Sequence, residues 1–358
     1  QLAAFTEAAP QTTVRIIPKK ADGSGGLYDL LSTASEAAPS ILPDVILLDT
    51  GDLKAAAAAG FIQPVDEWMV DDPDIYPFAL NAASHDVIAD EADELERWGF
   101  PYLTRADQMV YRRGISTAPP ISWTRVLTSG YSILFPAAPP DDLVSDVLLA
   151  AYIGSGGRVM DENDRPVLDR TVLEELYGFF ETLRTRELIN VERALSLTDA
   201  SACWEVYQQG IGRLSPVPMG TYWTARPADS LAGWMPTVDG TPVTIMHPWH
   251  LAIVTPDPER QTQALDLIQW LNDPDNAGQL AGAVGVVPVH RQALEVWIGE
   301  SDELATADRI LSTGIAPLPP SVNASVRHAL HAGLDALYRA EVESPEEAAD
   351  YAMTRLRP

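Results

Sequence analysis

Apolar positions along this chain alternate between strand-like runs and helix-like stripes. Val45-Ile-Leu-Leu48, entered through Pro43-Asp44, is a short continuous apolar run, the pattern of a strand buried on both faces. Val14-Arg-Ile-Ile17, stopped by Pro18, and Leu251-Ala-Ile-Val254 predict two further interior strands. Residues 1–9 predict a helix closed by Pro10, 27–38 a second, and Ala55 to Ala59 a third ended by Gly60. Leu173, Leu176, Tyr177, Phe180 and Leu183 recur at helical spacing. So do Ala264, Leu267, Ile268 and Leu271, up to a stop near Asn272-Asp-Pro274, and Val326, Leu330, Leu334 and Leu337. Ser344-Pro-Glu-Glu347 is a capping box with proline at the first helical position.

Between these elements, Gly99 to Tyr111 predicts a strand, a turn and a second short strand. Pro119-Pro-Ile-Ser-Trp123 then predicts a Pro-bounded helix start. Asp22 to Gly26 is a flexible turn and Gly156 to Pro166 a hairpin-like one. From about 141 to 234 the pattern is mainly helical. The alternation of strand and helix in the first part predicts an α/β layer with a largely parallel sheet. At 358 residues the chain is long enough for two domains, each with its own core.

Composition narrows the class. Hydrophobic residues make up 46%, and no apolar run reaches the roughly 20 residues that span a bilayer. Acidic residues outnumber basic ones 51 to 24, a formal charge of −27. Such a surface repels a phosphate backbone and anionic lipid, so nucleic acid is excluded as a partner. Cys203 is the only cysteine; no intrachain disulfide or cysteine metal cluster can form, and beside Trp204 it reads as a buried apolar residue. Asp161-Glu-Asn163 resembles the start of a calcium loop, but Pro166 stands where glycine is needed, so a turn is expected. His247 and His250 lack further ligands at a matching spacing, and no metal or cofactor is expected. No nucleophile elbow, P-loop or zinc-protease helix is present, and nothing marks two carboxylates as a glycosidase pair. No leader is recognisable at Gln1, and the natural start is expected upstream.

Several motifs occur in a telling order: Pro43-Asp44-Val-Ile-Leu-Leu-Asp49, Ala59-Gly60-Phe-Ile-Gln-Pro64-Val-Asp66 and Gly99 to Tyr111. Gly154-Ser-Gly-Gly157-Arg-Val-Met-Asp161, His250 to Val254 and Ala283-Val-Gly285-Val-Val-Pro288-Val-His-Arg291 follow. In this order the chain resembles the extracellular solute-binding proteins of ABC importers, in particular the sugar-binding, maltose-binding-like group. The resemblance implies a two-lobed α/β fold of the periplasmic-binding-protein type: a discontinuous pair of α/β domains with a ligand cleft between the lobes. Lobe N is expected over 1–107 and 250–313, and helix-rich lobe C over 108–249 and 314–358. It also implies that a first strand of lobe N is missing ahead of Leu2. Val14–Ile17 and Val45–Leu48 would then flank a gap. Tyr111-Arg112 departs from the family's usual Tyr-Asn.

The implied activity is capture of a sugar or oligosaccharide by hinge closure and delivery to a membrane permease, by an extracytoplasmic monomer with no catalysis. The alternatives are a sensor reporting to a kinase, a receptor for a polyamine or other cation, and a glycan-processing enzyme. Sugar recognition uses aromatic faces against pyranose C–H groups, with carboxylates, amides and guanidiniums for the hydroxyls. Trp249 and the pair Tyr222-Trp223 are the expected aromatics, with Tyr152 beside Gly154-Ser-Gly-Gly157 a further one. Asp49 and Thr50 follow a buried strand, where α/β sheets bind ligands, but Asp49 reads equally as a helix N-cap. Tyr102 and Arg105 lie at the first expected crossing between lobes, where Arg105 is placed to donate to ligand oxygens. Trp204 reads as structural.

Overall fold

The computed structural model describes residues 2–21, 23–69, 72–86, 95–113, 119–138 and 145–357. Gln1 and Asp22, which open the first expected helix and the expected turn, lie outside the described residues, as does the start, 141–144, of the region read as helical. The chain divides into two compact units. Unit 1 comprises Gln1–Arg105 and Met246–Leu304, and unit 2 comprises Ala106–Ile245 and Ala305–Pro358. The last division between the units falls at 304/305. It lies inside the helix Asp302–Ser312, whose buried residues Ala307, Ile310 and Leu311 all come after it.

The strands in chain order are β1 (Val45–Asp49), β2 (Ser84–Asp86), β3 (Leu95–Arg97), β4 (Phe100–Arg105), β5 (Asp107–Arg112) and β6 (Leu214–Pro218). β7 (Ser230–Gly233), β8 (Thr244–Ile245), β9 (His247–Ile253), β10 (Val287–Pro288) and β11 (Gly314–Ile315) follow. Unit 1 is built on a sheet of order β1-β9-β4-β10, beside a short β2-β3 pair. Every pairing in the four-stranded sheet is antiparallel, which corrects the expected largely parallel sheet. β9 returns about two hundred residues after β1 and runs against both β1 and β4. One face of the sheet, Ile46, Leu48, Ala252 and Val254, packs on Leu31, Leu53 and Ala56 of two helices. The other, with Leu47, Leu103 and Leu251, packs on Ala264 and Ile268.

Val14–Ile17 forms no strand, a second correction: Ile16 is 68% and Ile17 44% exposed. Four residues stopped by a proline have no ladder partner here, and β1 pairs only with β9 among the described residues. The helix Thr50–Ala58 starts five residues before the alanine run that signals it. The Asp49 carboxylate accepts the Asp52 N–H at 2.8 Å and caps it, and Gly60 closes the turn at φ +69°.

Unit 2 carries the sheet β6-β5-β7, antiparallel throughout, and the parallel pair β11-β8. β6 and β7 lie in the stretch read as helical. Pro216 and Pro218 hide β6 from a strand pattern, and it tolerates them as an edge strand. The helical stripes land as their spacing predicts. Leu173, Leu176, Tyr177, Phe180 and Leu183 are buried on the helix Arg170–Thr185, against Leu330, Leu334 and Leu337 of Pro320–Tyr338. The Ser344 hydroxyl accepts the Glu347 N–H at 3.3 Å to open Pro345–Arg355, and Glu347 accepts the Glu343 N–H at 2.7 Å. Asp161 accepts the N–H groups of Asn163 and Arg165 at 2.8 and 2.9 Å, so its turn is closed by its own backbone. Cys203 is fully buried and burial pushes its thiol pKa up; Trp204 stacks on Tyr207 at 5.6 Å. Among the described residues no helix is long and apolar enough to cross a membrane.

Candidate functional site

The sheet of unit 1 brings Asp49, Trp249 and Arg105 to one place. Trp249 pairs with Asp49 on one side and Leu103 on the other, and His247 pairs with Arg105. Directly paired residues of antiparallel strands project to the same face, and so do residues two apart on a strand. Asp49, Trp249, Arg105 and His247 therefore share a face at one end of three adjacent strands. The Arg105 guanidinium lies 5.9 Å from the centre of the Trp249 ring. Trp249 is half-buried and Arg105 exposed, so the pair presents an aromatic plane beside a fan of donors. Asp49 is half-buried, with one oxygen occupied by the helix cap. Both readings of Asp49 thus meet in one residue: it caps, and its carboxylate stays on the face of Trp249.

Thr50 and Tyr102 behave differently. Thr50 is 7% exposed, with a buried hydroxyl that has no hydrogen-bond partner among the described residues. Tyr102 sits in the bulge between Pro101 and Leu103 and is 4% exposed, and burial raises its phenol to about 12. Its side chain belongs to the core beside Leu103 and Leu251, a correction to its expected role. His250, three residues from His247, falls on the opposite face and is fully buried, its Nε2 3.4 Å from the Ala79 carbonyl oxygen. The strand's alternation separates the two histidines. No group of three metal-binding side chains occurs among the described residues.

In unit 2 the expected aromatics are interior. Tyr222 and Trp223, on the helix Met219–Ala225, are each 1% exposed, with ring centres 4.9 Å apart and Tyr222 edge-on to Trp204. Neither shows a free ring face, which corrects that expectation: a seven-residue helix just after β6 lays both rings into the apolar layer. Tyr152 is likewise fully buried. Its hydroxyl donates to the Arg158 carbonyl at 3.0 Å and accepts the Asp169 N–H at 2.6 Å, and burial pushes its pKa to about 12. It braces the turn Gly154–Gly157 instead of facing a ligand.

Unit 2 does contain polar atoms that the fold leaves unused. The Gln108 side chain is fully buried and neither its Oε1 nor its Nε2 has a partner among the described residues. Trp223 Nε1 and Thr244 Oγ1 are likewise buried with no partner among the described residues. Leaving such groups unpaired costs roughly 1–3 kcal/mol each, so native folds rarely keep them without a use. Sequence reading passed over Gln108 because a polar residue between Asp107 and Met109 looks like the wet side of a strand.

The sequence profile of the family described as "bacterial extracellular solute-binding protein" matches residues 1–278. The chain belongs to that family. Solved structures of this solute-binding protein's fold include maltose-bound MalE3 of T. maritima, at 17% identity, covering 99% of this chain and 94% of that one, TM-score 0.70. The sugar-binding protein MalE of Xanthomonas citri is 15% identical, covering 99% and 92%, with TM-score 0.76. The cyclic alpha-maltosyl-1,6-maltose binding protein of Arthrobacter globiformis is 16% identical, covering 99% and 93%, with TM-score 0.73. No curated protein sequence matches. At these identities the likeness establishes the fold. The α/β architecture in two discontinuous units is that of this solute-binding family, whose members act outside the cytoplasm as binding proteins.

Proposed function

We propose that this solute-binding protein captures a sugar or oligosaccharide for an ABC importer, and that Trp249, Arg105 and Asp49 form the part of the site carried by unit 1. The observation behind this is the half-buried Trp249 ring with the Arg105 guanidinium 5.9 Å from its centre and Asp49 in register beside it. An aromatic plane suits the C–H face of a pyranose, while a guanidinium and a carboxylate satisfy hydroxyls. The solved proteins of this fold named above are described as bound to maltose or as sugar-binding. The protein releases its ligand unchanged to permease subunits, so no residue is assigned a catalytic part. Capture by hinge closure belongs to the same reading.

A thermal-shift screen of mono- and oligosaccharides tests it, since a ligand bound only by the native state raises the apparent melting temperature. A sugar is expected to raise it. A shift with polyamines and none with sugars would move the reading to a cationic solute. Trp249→Ala is expected to weaken sugar binding by roughly 1–3 kcal/mol, the contribution of covering one large apolar side chain, by isothermal titration. Unchanged affinity would remove Trp249 from the site.

Gln108 carries a fully buried amide with no partner among the described residues. Gln108→Leu removes two buried unpaired polar atoms, so the ligand-free protein is expected to melt at the same or a higher temperature. A lower melting temperature would mean that the amide makes contacts the fold needs.

A further inference from the structure

Unit 2 holds a second concavity whose charge contrasts with the rest of the protein. β5 ends at Arg112 and continues into Arg113; β6 begins just after Arg213, whose carbonyl accepts the Arg112 N–H at 3.0 Å. Arg112 is engaged: it pairs with Asp229, donates to the Tyr207 carbonyl and lies 3.8 Å over the Tyr207 ring. Arg113 and Arg213 are exposed, and their guanidiniums have no carboxylate or carbonyl partner among the described residues. Both line a concavity of about 570 Å³ together with Ser129, Tyr131 and Ser132. An adjoining pocket of about 140 Å³ shares Ser132, Glu187 and Leu188 with it and adds Arg193, whose guanidinium is also unpartnered among the described residues.

Arg158, Arg170, Arg184, Arg327 and Arg339 of unit 2 each pair with a carboxylate. Arg113 and Arg213 around the hollow, and Arg193 in the pocket beside it, have none among the described residues and leave a local cationic site. Glu187, in the left-handed region at φ +57°, is the one carboxylate among the described residues lining the two, and offsets one charge of three. The remaining charge of about two over the hollow and the pocket beside it suits a dianion, and guanidinium forks with the Ser132 hydroxyl match its oxygens.

We propose that this hollow is a binding site for a small dianionic oxyanion, a phosphate or dicarboxylate group, held between Arg113 and Arg213. The hollow is formed by residues of unit 2, and its proposal does not depend on the ligand proposed for the Trp249 face of unit 1.

The test titrates the full chain at low ionic strength with inorganic phosphate and, separately, with succinate, by isothermal titration. Saturable one-to-one binding of at least one dianion is expected, weakened tenfold or more in Arg113→Gln/Arg213→Gln. The doubly substituted protein is expected to keep its circular dichroism spectrum and its sugar-induced thermal shift. Saturation by phosphate alone identifies a phosphate site, and by succinate alone a carboxylate site. If neither saturates, or if the doubly substituted protein binds as tightly as the native one, the proposal is overturned.

Discussion

Asp146→Ala is expected to cost unit 2 about 3–5 kcal/mol, the usual penalty for removing one member of a buried ion pair. Arg327, on the helix Pro320–Tyr338, is 6% exposed and pairs with Asp146 at the start of the helix Val147–Ile153. Burial pulls the Arg327 pKa down to about 10, against the charge of Asp107, which favours its protonated form. Without Asp146 the guanidinium stays charged at neutral pH and keeps its desolvation cost. Urea unfolding followed by circular dichroism reads the loss. The double substitution Asp146→Leu/Arg327→Leu is expected to recover a large part of it, because two apolar side chains of fitting volume need no pairing. If the single and double variants are equally destabilised, packing around the two helices explains the loss and the charge pair does not.

Much of this fold could be read from periodicity because burial here is one-sided. The stripe Leu173, Leu176, Tyr177, Phe180 and Leu183 is buried in full, and Val326, Leu330 and Leu334 meet it. Strand direction was not legible. Val45–Leu48 shows the continuous apolar run of a doubly covered strand, and such a run looks the same whether its neighbour is parallel or antiparallel. Val14–Ile17 shows how little four residues carry: a strand exists only where another strand takes its hydrogen bonds.

The candidate site was legible as residues and not as an arrangement. Trp249, Arg105 and Asp49 lie far apart in sequence, and only the register of β9 against β1 and β4 puts them on one face. Tyr222, Trp223 and Tyr152 carry the right chemistry for a sugar, yet their side chains turn inward, and helix phase relative to the sheet has no local sequence signature. The reverse holds for Gln108. Its type suggested solvent, whereas the sheet β6-β5-β7 buries it completely.

The protein is expected to lose stability steeply as pH falls from about 6.5 toward 4. His250 in unit 1 and His331 in unit 2 are both fully enclosed, and burial lowers each pKa from 6.5 to about 4. The charge of Lys54 adds to the effect at His250, and those of Arg327 and His328 add to it at His331. The Ala79 and Leu48 backbone opposes it at His250, and that of Ala138 at His331. In the unfolded chain each imidazole takes a proton near pH 6.5; in the native state it stays neutral down to about 4. Between those values the unfolded state binds more protons, so stability rises with pH. The full stabilisation is present above 6.5 and falls as the pH drops through that window, by about 3 kcal/mol for each histidine. Lowered carboxylates such as Asp169, held by Arg158, add to the loss only below their ordinary range, at still lower pH. Urea midpoints measured from pH 7.5 to 4 are expected to fall over this range. In His331→Leu the slope contributed by unit 2 is expected to flatten while that of unit 1 persists. A flat profile from 7 to 5 in the native protein would mean that one or both imidazoles reach solvent often enough to protonate without unfolding.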